Sequence, residues 1–300
     1  MSRIITLILI VGIFGTSPCA FAQMSSPNFE IRWDSIGAGG DDNSSSSSYL
    51  LRDTAGNVGI GVGSSANYEL RAGYRSGILD SFIEFSFFSQ NNSVVETATG
   101  LIGTTISCVA DDFTAGDMIA LVQDRGEAQV AAIGQIVSVG PASFVVDQLK
   151  DGGVSPAIDG VNDFVYLLDG SSADLGTLTS LSVQTAIVGM EVTTDAGGYV
   201  VQVSADGDLR AGTSSLSAVA DGAITAGSEE YGGRSSDVSL IGSTFDSADT
   251  AFSTGYQDVA DSSVAIYNER NFLTLKGSID GGTQNGSYVQ ELTLIVSGTY

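Results

Sequence analysis

The chain contains no histidine among its 300 residues. Hydrolysis by a serine–histidine–aspartate triad, cysteine–histidine nucleophiles and histidine-ligated zinc all need an imidazole, so these chemistries are excluded. We therefore expect no catalytic residues and no enzymatic activity, with a secreted hydrolase as the less favoured alternative. A glycosidase needs two carboxylates facing one cleft, whereas the adjacent Glu229 and Glu230 would point to opposite faces of a strand.

Cysteine is almost as scarce. The chain has two, and Cys19 lies within a predicted leader, so the mature protein keeps only Cys108 and has no internal disulfide. The neighbours Ile106 and Val109 indicate a strand. A lone cysteine in a strand is typically a small buried apolar residue, and we expect that role for Cys108.

Basic residues are few, with 11 Lys and Arg against 35 Asp and Glu. Without the predicted leader, which holds one arginine, 10 basic residues remain and the net charge is −25. A field of this sign repels phosphate, so nucleic acid and anionic membrane surfaces are poor partners, and we expect no nucleic-acid binding. The expected partners are other copies of the chain or other surface proteins.

The first 22 residues indicate a cleavable secretory signal peptide. Arg3 supplies the basic start, Ile4 to Ile13 form the apolar run, and Ala20-Phe21-Ala22 is a small-residue cleavage site. We expect the mature protein to begin at Gln23, to be exported and to act outside the cell or on its surface. No later run approaches the length that spans a bilayer, so we expect no transmembrane segment after cleavage.

Composition divides the mature chain into three parts. Residues 23–78 are rich in Ser and Gly, and Tyr49-Leu50-Leu51-Arg52 recurs there as Tyr68-Glu69-Leu70-Arg71, which predicts an extended arm with a tandem repeat. Residues 97–161 hold five short strand-like runs separated by Gly or Pro, which is typical of a small β-barrel. Residues 79–96 and 162–300 are predicted to form one β-sandwich into which that barrel is inserted.

Apolar residues in these two flanking segments alternate with a period of two. The pattern predicts sheets with one buried face, as in a sandwich, and no segment of similar length has helical periodicity. The sequence therefore predicts an all-β fold. Two hairpins are expected, Met190–Val192 with Tyr199–Val203 and Leu273–Leu275 with Leu292–Val296, and Phe164–Leu168 is expected to pair with Phe82–Phe88.

Four short motifs in the second half resemble a known family. In order they are Gly198-Tyr199-Val200-Val201, Leu209-Arg210-Ala211-Gly212, Gly227-Ser228-Glu229-Glu230-Tyr231-Gly232 and the segment from Gly286-Ser287-Tyr288 to Tyr300. Together with the serine-rich tandem repeat, this order is similar to uncharacterised exported β-rich surface proteins of candidate phyla radiation bacteria. The resemblance implies a secreted immunoglobulin-like or pilin-like sandwich and carries over no catalytic residues. Gly233 replaces an aliphatic residue of that pattern, so a looser strand is expected there.

Paired acids are candidate metal ligands, because calcium prefers several oxygen ligands and is plentiful outside cells. Asp206 and Asp208 are the best candidates, although no acidic pair matches the twelve-residue helix-loop-helix calcium loop. Turn chemistry explains the same pattern, since an Asp side chain bonds its own backbone. We therefore expect no cofactor, with calcium as the single candidate.

The arm carries alternating apolar residues at Phe29, Ile31 and Trp33. Such a segment can fold onto its own domain, which is the simpler interpretation, or complete the sheet edge of a neighbouring copy, which remains open. The sequence thus predicts a secreted, noncatalytic structural or adhesive protein of the cell surface, with self-assembly as an open option. The alternative is an extracellular module that binds glycans or another ligand in an aromatic-lined groove.

Overall fold

The computed structural model describes residues 82–299, except residue 127, together with six short strands between residues 24 and 72. The chain divides into two units, Met1–Ser81 and Phe82–Tyr300. The predicted signal peptide, residues 1–22, lies outside the described residues.

Strands of the first unit form three separate two-stranded antiparallel ribbons. These pair β1 (Met24–Ser26) with β2 (Phe29–Ile31), β3 (Ser44–Ser45) with β4 (Leu50–Leu51), and β5 (Gly61–Ser64) with β6 (Glu69–Ala72). The two copies of the tandem repeat contribute β4 and β6, so each copy supplies the second strand of its ribbon.

The second unit consists of strands and connecting loops, with no helix in the part that the structure describes. Its strands are β7 (Ile83–Thr97), β8 (Gly100–Ile102), β9 (Thr105–Ser107), β10 (Met118–Gln123), β11 (Val130–Gly140), β12 (Ser143–Val146), β13 (Lys150–Asp151), β14 (Phe164–Leu168), β15 (Gln184–Thr194), β16 (Gly198–Ala205), β17 (Arg210–Ala211), β18 (Ser214–Ser215), β19 (Glu230–Ser235), β20 (Gln257–Ser262), β21 (Ile266–Ser278) and β22 (Leu292–Thr299). The predicted all-β class is confirmed. No segment of the described chain is a helix long and apolar enough to cross a membrane.

Two of the sheets pack face to face as a sandwich. The long sheet has the order β19-β21-β15-β7-β14-β10-β11-β12-β9-β8, with β13 beside β11, and the short sheet has the order β20-β16-β22. Met190 of β15 and Leu273 of β21 share one apolar core with Tyr199 and Val201 of β16 and with Leu294 of β22. The predicted sandwich is therefore present, and β17 with β18 forms a small separate ribbon.

Strand β7 belongs to two parts of the long sheet. Its first half pairs with β15, from Ile83 to Ser89, and its second half pairs with β14, from Gln90 to Thr97. The predicted pairing of Phe164–Leu168 with Phe82–Phe88 is wrong, because Phe82–Phe88 lies in the half of β7 that pairs with β15. Phe164–Leu168 pairs instead with the second half of the same strand, residues 90–97.

Strands β8 to β13 lie between β7 and β14 in sequence and enclose a core of their own, which contains Ile106, Ile119 and Phe144. They continue the long sheet, and no hydrogen-bonded ring is closed among the described strands. The expected small barrel is thus an inserted β-unit that remains open. The barrel does not close because β14 pairs with β7 of the sandwich and not with β8. Strand β8 therefore stays at the end of the strand order.

A third apolar layer joins the inserted unit to the back of the sandwich. Met118 of β10 and Tyr166 of β14 pack there with Ile187 and Phe272, which point away from the sandwich core. Gly189 permits the close approach, because a Cβ at this position would lie 3.0 Å from Leu168 Cδ1. The part of the long sheet that contains β10 and β14 therefore packs against the face of β15 and β21 that points away from the sandwich core.

Neither predicted hairpin forms, although all four strands do. β15 and β16 lie in different sheets, as do β21 and β22, so each connection carries the chain across the core. Period-two alternation indicates only that one face of a strand is buried, and it does not identify the strand's partner. Both members of each pair point their apolar face at the same core, and this arrangement produces the same pattern as a hairpin.

Candidate functional site

A cleft of about 890 Å³ opens between the two sheets of the sandwich. Val188 and Leu273 line it from the long sheet, and Val203 and Leu294 line it from the short sheet. These side chains also belong to the sandwich core, so the cleft brings the apolar interior to the surface. Its volume lies within the range of about 300–1,000 Å³ that is usual for small-molecule sites.

One rim of the cleft is the loop of residues 171–178, which side chains of β7 hold in place. Ser89 Oγ donates a hydrogen bond to the carbonyl oxygen of Ser172 at 2.9 Å, and Asn92 Nδ2 donates to that of Asp174 at 2.6 Å. Leu175 and Leu178 of the same loop pack against the core. This rim is therefore attached to the edge of the long sheet.

The opposite rim is the loop of residues 283–291. Thr283 Oγ1 donates a hydrogen bond to the carboxylate of Glu229 at 2.6 Å, and Gln290 Nε2 donates to the carbonyl oxygen of Gly207 at 2.6 Å. These bonds fix the loop at the point where the chain enters β22. The entrance of the cleft is thus built from two tethered loops.

Strand β22 forms one border of the cleft and is an edge strand. It pairs with β16, and no strand among residues 82–299 pairs with its other side. The Asp206 amide donates to the Glu291 carbonyl oxygen at 3.0 Å, so the backbone groups of Glu291 face the β16 side. Hydrogen-bonding groups alternate along an antiparallel strand, and those of Leu292, Leu294 and Val296 therefore point to the open side.

The first half of β7 lies at the same open side of the sandwich. Its residues 85–88 pair with β15, whereas pairing with β14 begins only at Gln90. The Phe85 and Phe87 rings stack with their centroids 6.3 Å apart, and Phe87 lines the cleft with 42% of its surface exposed. β7 and β22 contact each other, so edges from both sheets flank one apolar opening.

Tyr231 lines the cleft and belongs to a cluster of aromatic rings. Tyr231 of β19 is buried, and its ring lies 5.6 Å from that of Phe252, which in turn lies 5.6 Å from Phe245. Burial raises the pKa of the Tyr231 hydroxyl well above its usual range. Tyr231 is therefore neutral at physiological pH and contributes an apolar wall with one hydroxyl.

The looser strand expected at Gly233 does not form. Its amide donates to the Thr250 carbonyl oxygen at 2.9 Å, and the Thr250 amide donates back at 2.8 Å. On its other side Gly233 pairs with Leu275 of β21. A Cβ at Gly233 would lie 2.6 Å from Phe252 Cζ, so an aromatic ring occupies the space that an aliphatic side chain would fill.

Asp206 and Asp208, the predicted calcium ligands, lie beside Arg210. Both carboxylate oxygens of Asp206 accept hydrogen bonds from the Arg210 guanidinium, and the Asp208 carbonyl oxygen accepts a third. The Arg210 side chain and the Glu291 amide hold the pKa of Asp206 below its usual range. A calcium ion would have to displace this guanidinium, and calcium binding here stays a prediction.

Three further residues singled out in the sequence belong to the arm, and a fourth is Cys108. Phe29 and Ile31 fall in β2, whereas Trp33 lies outside the described residues. Cys108 is buried, as expected for a small apolar residue, but the predicted strand ends at Ser107 and Cys108 lies in the bend that follows it. Residues 82–299, where the structure describes them, contain no group of three or more His, Cys, Asp or Glu side chains that could hold a metal ion.

Sequence patterns alone did not indicate the cleft. Its apolar walls come from six strands, and its rims are polar loops whose positions depend on the fold. One signal was present in the sequence, because Leu292–Thr299 contains neither a charged residue nor proline. The arrangement can bind an apolar or extended partner through shape and backbone hydrogen bonds. No protein-family model, curated protein or solved structure matches this chain.

Proposed function

We propose that this chain is an exported, noncatalytic structural or adhesive protein of a cell surface, and that it assembles with copies of itself. The observation that supports this proposal is the open side of the sandwich, where an edge of β22 that no described strand covers borders an apolar cleft. Proteins usually protect such edges with charged side chains, proline or bulges. β22 carries neither charge nor proline over eight residues, which favours an edge that another strand covers.

The acidity of the chain fits the same role. A mature net charge of −25, expected once the leader is removed, makes random contacts between copies repulsive and keeps them in solution. Association is then limited to surfaces where backbone hydrogen bonds and apolar burial outweigh the repulsion. The cleft and the β22 edge together provide such a surface.

The proposal is tested by sedimentation velocity and electron microscopy of the purified mature protein over a range of concentrations. We expect oligomers or filaments that increase with concentration. A double variant, Thr293→Glu and Ser297→Glu, places negative charges on exposed positions of β22 and should suppress assembly. The matched control Ser263→Glu adds a charge at an exposed position after β20, on the far side of the short sheet, and should assemble normally. Monomers at every concentration would overturn the proposal.

A second candidate function is an extracellular ligand-binding module. The cleft volume and the presence of Tyr231 and Tyr288 in its lining favour this alternative. Binding of the monomeric protein to a glycan array, lost when Tyr288 is replaced by Ala, would support it. Assembly that leaves the array unlabelled would favour the structural role.

A further inference from the structure

We propose that residues 29–33 of the arm of a second copy add to β22 as a strand and fill the cleft. This inference rests on the proposed self-assembly and identifies both its acceptor surface and its donor segment. The acceptor is the open edge of β22 with the adjoining cleft. The donor is the sequence Phe29-Glu30-Ile31-Arg32-Trp33.

The periodicity of the donor matches that of the acceptor. Leu292, Leu294 and Val296 present free backbone groups to the open side, and their side chains join the sandwich core. A strand added there would alternate in the same way, with one set of side chains directed at the cleft and the other at solvent. In the donor, Phe29, Ile31 and Trp33 would form the inward set.

The length of the donor also suits the edge. Five extended residues span about 17 Å at roughly 3.3 Å per residue, and β22 has eight residues. Part of the donor, Phe29–Ile31, is already a strand, β2, in a two-stranded ribbon with β1. A ribbon pairs one edge of each strand and is marginally stable by itself, so β2 has a second edge available and gains from a larger sheet.

Charge favours the arm over any other part of a second copy. Residues 79–300 hold 6 basic and 29 acidic residues, a net charge of −23, whereas residues 23–78 hold 4 basic and 6 acidic residues, a net charge of −2. Bodies of two copies therefore repel each other, and the arm approaches an acidic body at a much smaller cost. The rims of the cleft include Asp174 and Glu291, which strengthens this preference.

Trp33 provides a direct test, because it is the only tryptophan of the chain. We expect its fluorescence emission in the mature protein to shift to shorter wavelength as concentration rises, in parallel with the increase in sedimenting mass. A variant with Phe29, Ile31 and Trp33 all replaced by Ser should remain monomeric. The matched variant with Glu30 and Arg32 replaced by Ser changes the outward set and should assemble.

Disulfide cross-linking between copies identifies the acceptor, since the single mature cysteine is buried and does not compete. One variant carries Arg32→Cys in the arm, and a second carries Thr293→Cys or Ser297→Cys on β22. We expect linked dimers containing one copy of each when the two are mixed and oxidised. Ser263→Cys, at an exposed position beyond the opposite edge of the short sheet, is the control and should not link to Arg32→Cys.

Each remaining outcome overturns the inference in a distinguishable way. Assembly with no change in Trp33 emission and no arm-to-β22 link would overturn the arm as donor and leave the proposed self-assembly standing. A link formed within a single chain that carries both cysteines, independent of dilution, would show that the arm occupies its own cleft. Absence of any assembly would overturn this inference and the proposed function together.

Discussion

The guanidinium of Arg270 in β21 donates two hydrogen bonds to the carboxylate of Asp147, at 2.9 and 2.7 Å. Asp147 follows β12 in the inserted unit, so this ion pair connects the insertion to the sandwich. Arg270 Nε also donates to Glu191 of β15 at 2.6 Å, and the arginine side chain is only 2% exposed. A buried cation is thus balanced by two carboxylates from different parts of the chain.

Replacing Arg270 by Met should destabilise the fold strongly. The substitution leaves Asp147 and Glu191 facing each other without the cation, and removing one partner of a buried ion pair typically costs about 3–5 kcal/mol. Both carboxylates are partly exposed, so we expect a loss of about 2–4 kcal/mol in the free energy of unfolding. Urea denaturation measures it. Arg234→Met, at an exposed position of β19, should change stability by no more than about 0.5 kcal/mol, and equal losses for both variants would contradict the prediction.

Asp147 should also contribute to the pH dependence of stability. Burial alone would raise the pKa of Asp147, but hydrogen bonds from the Gln135 amide, the Arg270 guanidinium and the Gln148 amide together hold it below its usual range. A carboxyl group with a lower pKa in the folded chain stabilises the fold above its unfolded pKa of about 3.9, and this contribution is lost as pH falls through the folded value.

We therefore expect the free energy of unfolding to fall more steeply below about pH 4 in the unmodified protein than in Asp147→Asn. The asparagine variant is less stable at neutral pH, so the slope with pH is the quantity to compare. Urea titrations at several pH values provide it. Parallel slopes for the two proteins would show that Asp147 has the same pKa in the folded and unfolded chains.

Gly233 should tolerate no larger residue. A methyl group there would lie 2.6 Å from Phe252 Cζ, and overpacking of this kind usually costs about 1–3 kcal/mol. We expect Gly233→Ala to lower the melting temperature and the added change Phe252→Leu to recover part of the loss. Gly281→Ala is the control, because no atom lies within 4 Å of its added Cβ. Failure of Phe252→Leu to compensate would show that the ring does not set the limit.

Cys108 should be unreactive in the folded protein. Its side chain is 5% exposed, and burial, followed by the negative charge of Glu96, raises its pKa to about 11. At pH 8 only about one thiol in a thousand would then be ionised, and the thiolate is the reactive form. We expect no reaction with 5,5′-dithiobis(2-nitrobenzoate) in buffer and full reaction in denaturant. Rapid modification of the native protein would contradict the buried position.

Individual strands could be predicted from the sequence, but their partners could not. The run Phe164–Leu168 was expected as a strand and is β14 with the same limits. Alternation in Met190–Val192 and Tyr199–Val203 indicated the buried faces of β15 and β16 correctly. The alternation did not distinguish a hairpin from a crossing between sheets, because core-facing residues recur at every second position in both arrangements.

Sequence patterns also did not predict the ion pair between Arg270 and Asp147 or the cleft. Asp147 and Arg270 are separated by 123 positions, and the sequence around either residue gives no sign of its partner. The pairing depends on the long sheet folding over itself, which follows from β7 having different partners along its length. By contrast, the burial of Cys108 could be predicted from its apolar neighbours, although the residue directly follows β9 and does not belong to a strand.

The division of β7 between two partners has a mechanical consequence. The arm joins the second unit directly before β7, so tension transmitted through the arm enters the protein at the first residue of this strand. The first half of β7 is bonded to β15 and the second half to β14, so a pull at Ile83 reaches the hydrogen bonds to β15 before those to β14. A copy anchored through its arm would therefore resist extension with its sandwich first and its inserted unit second.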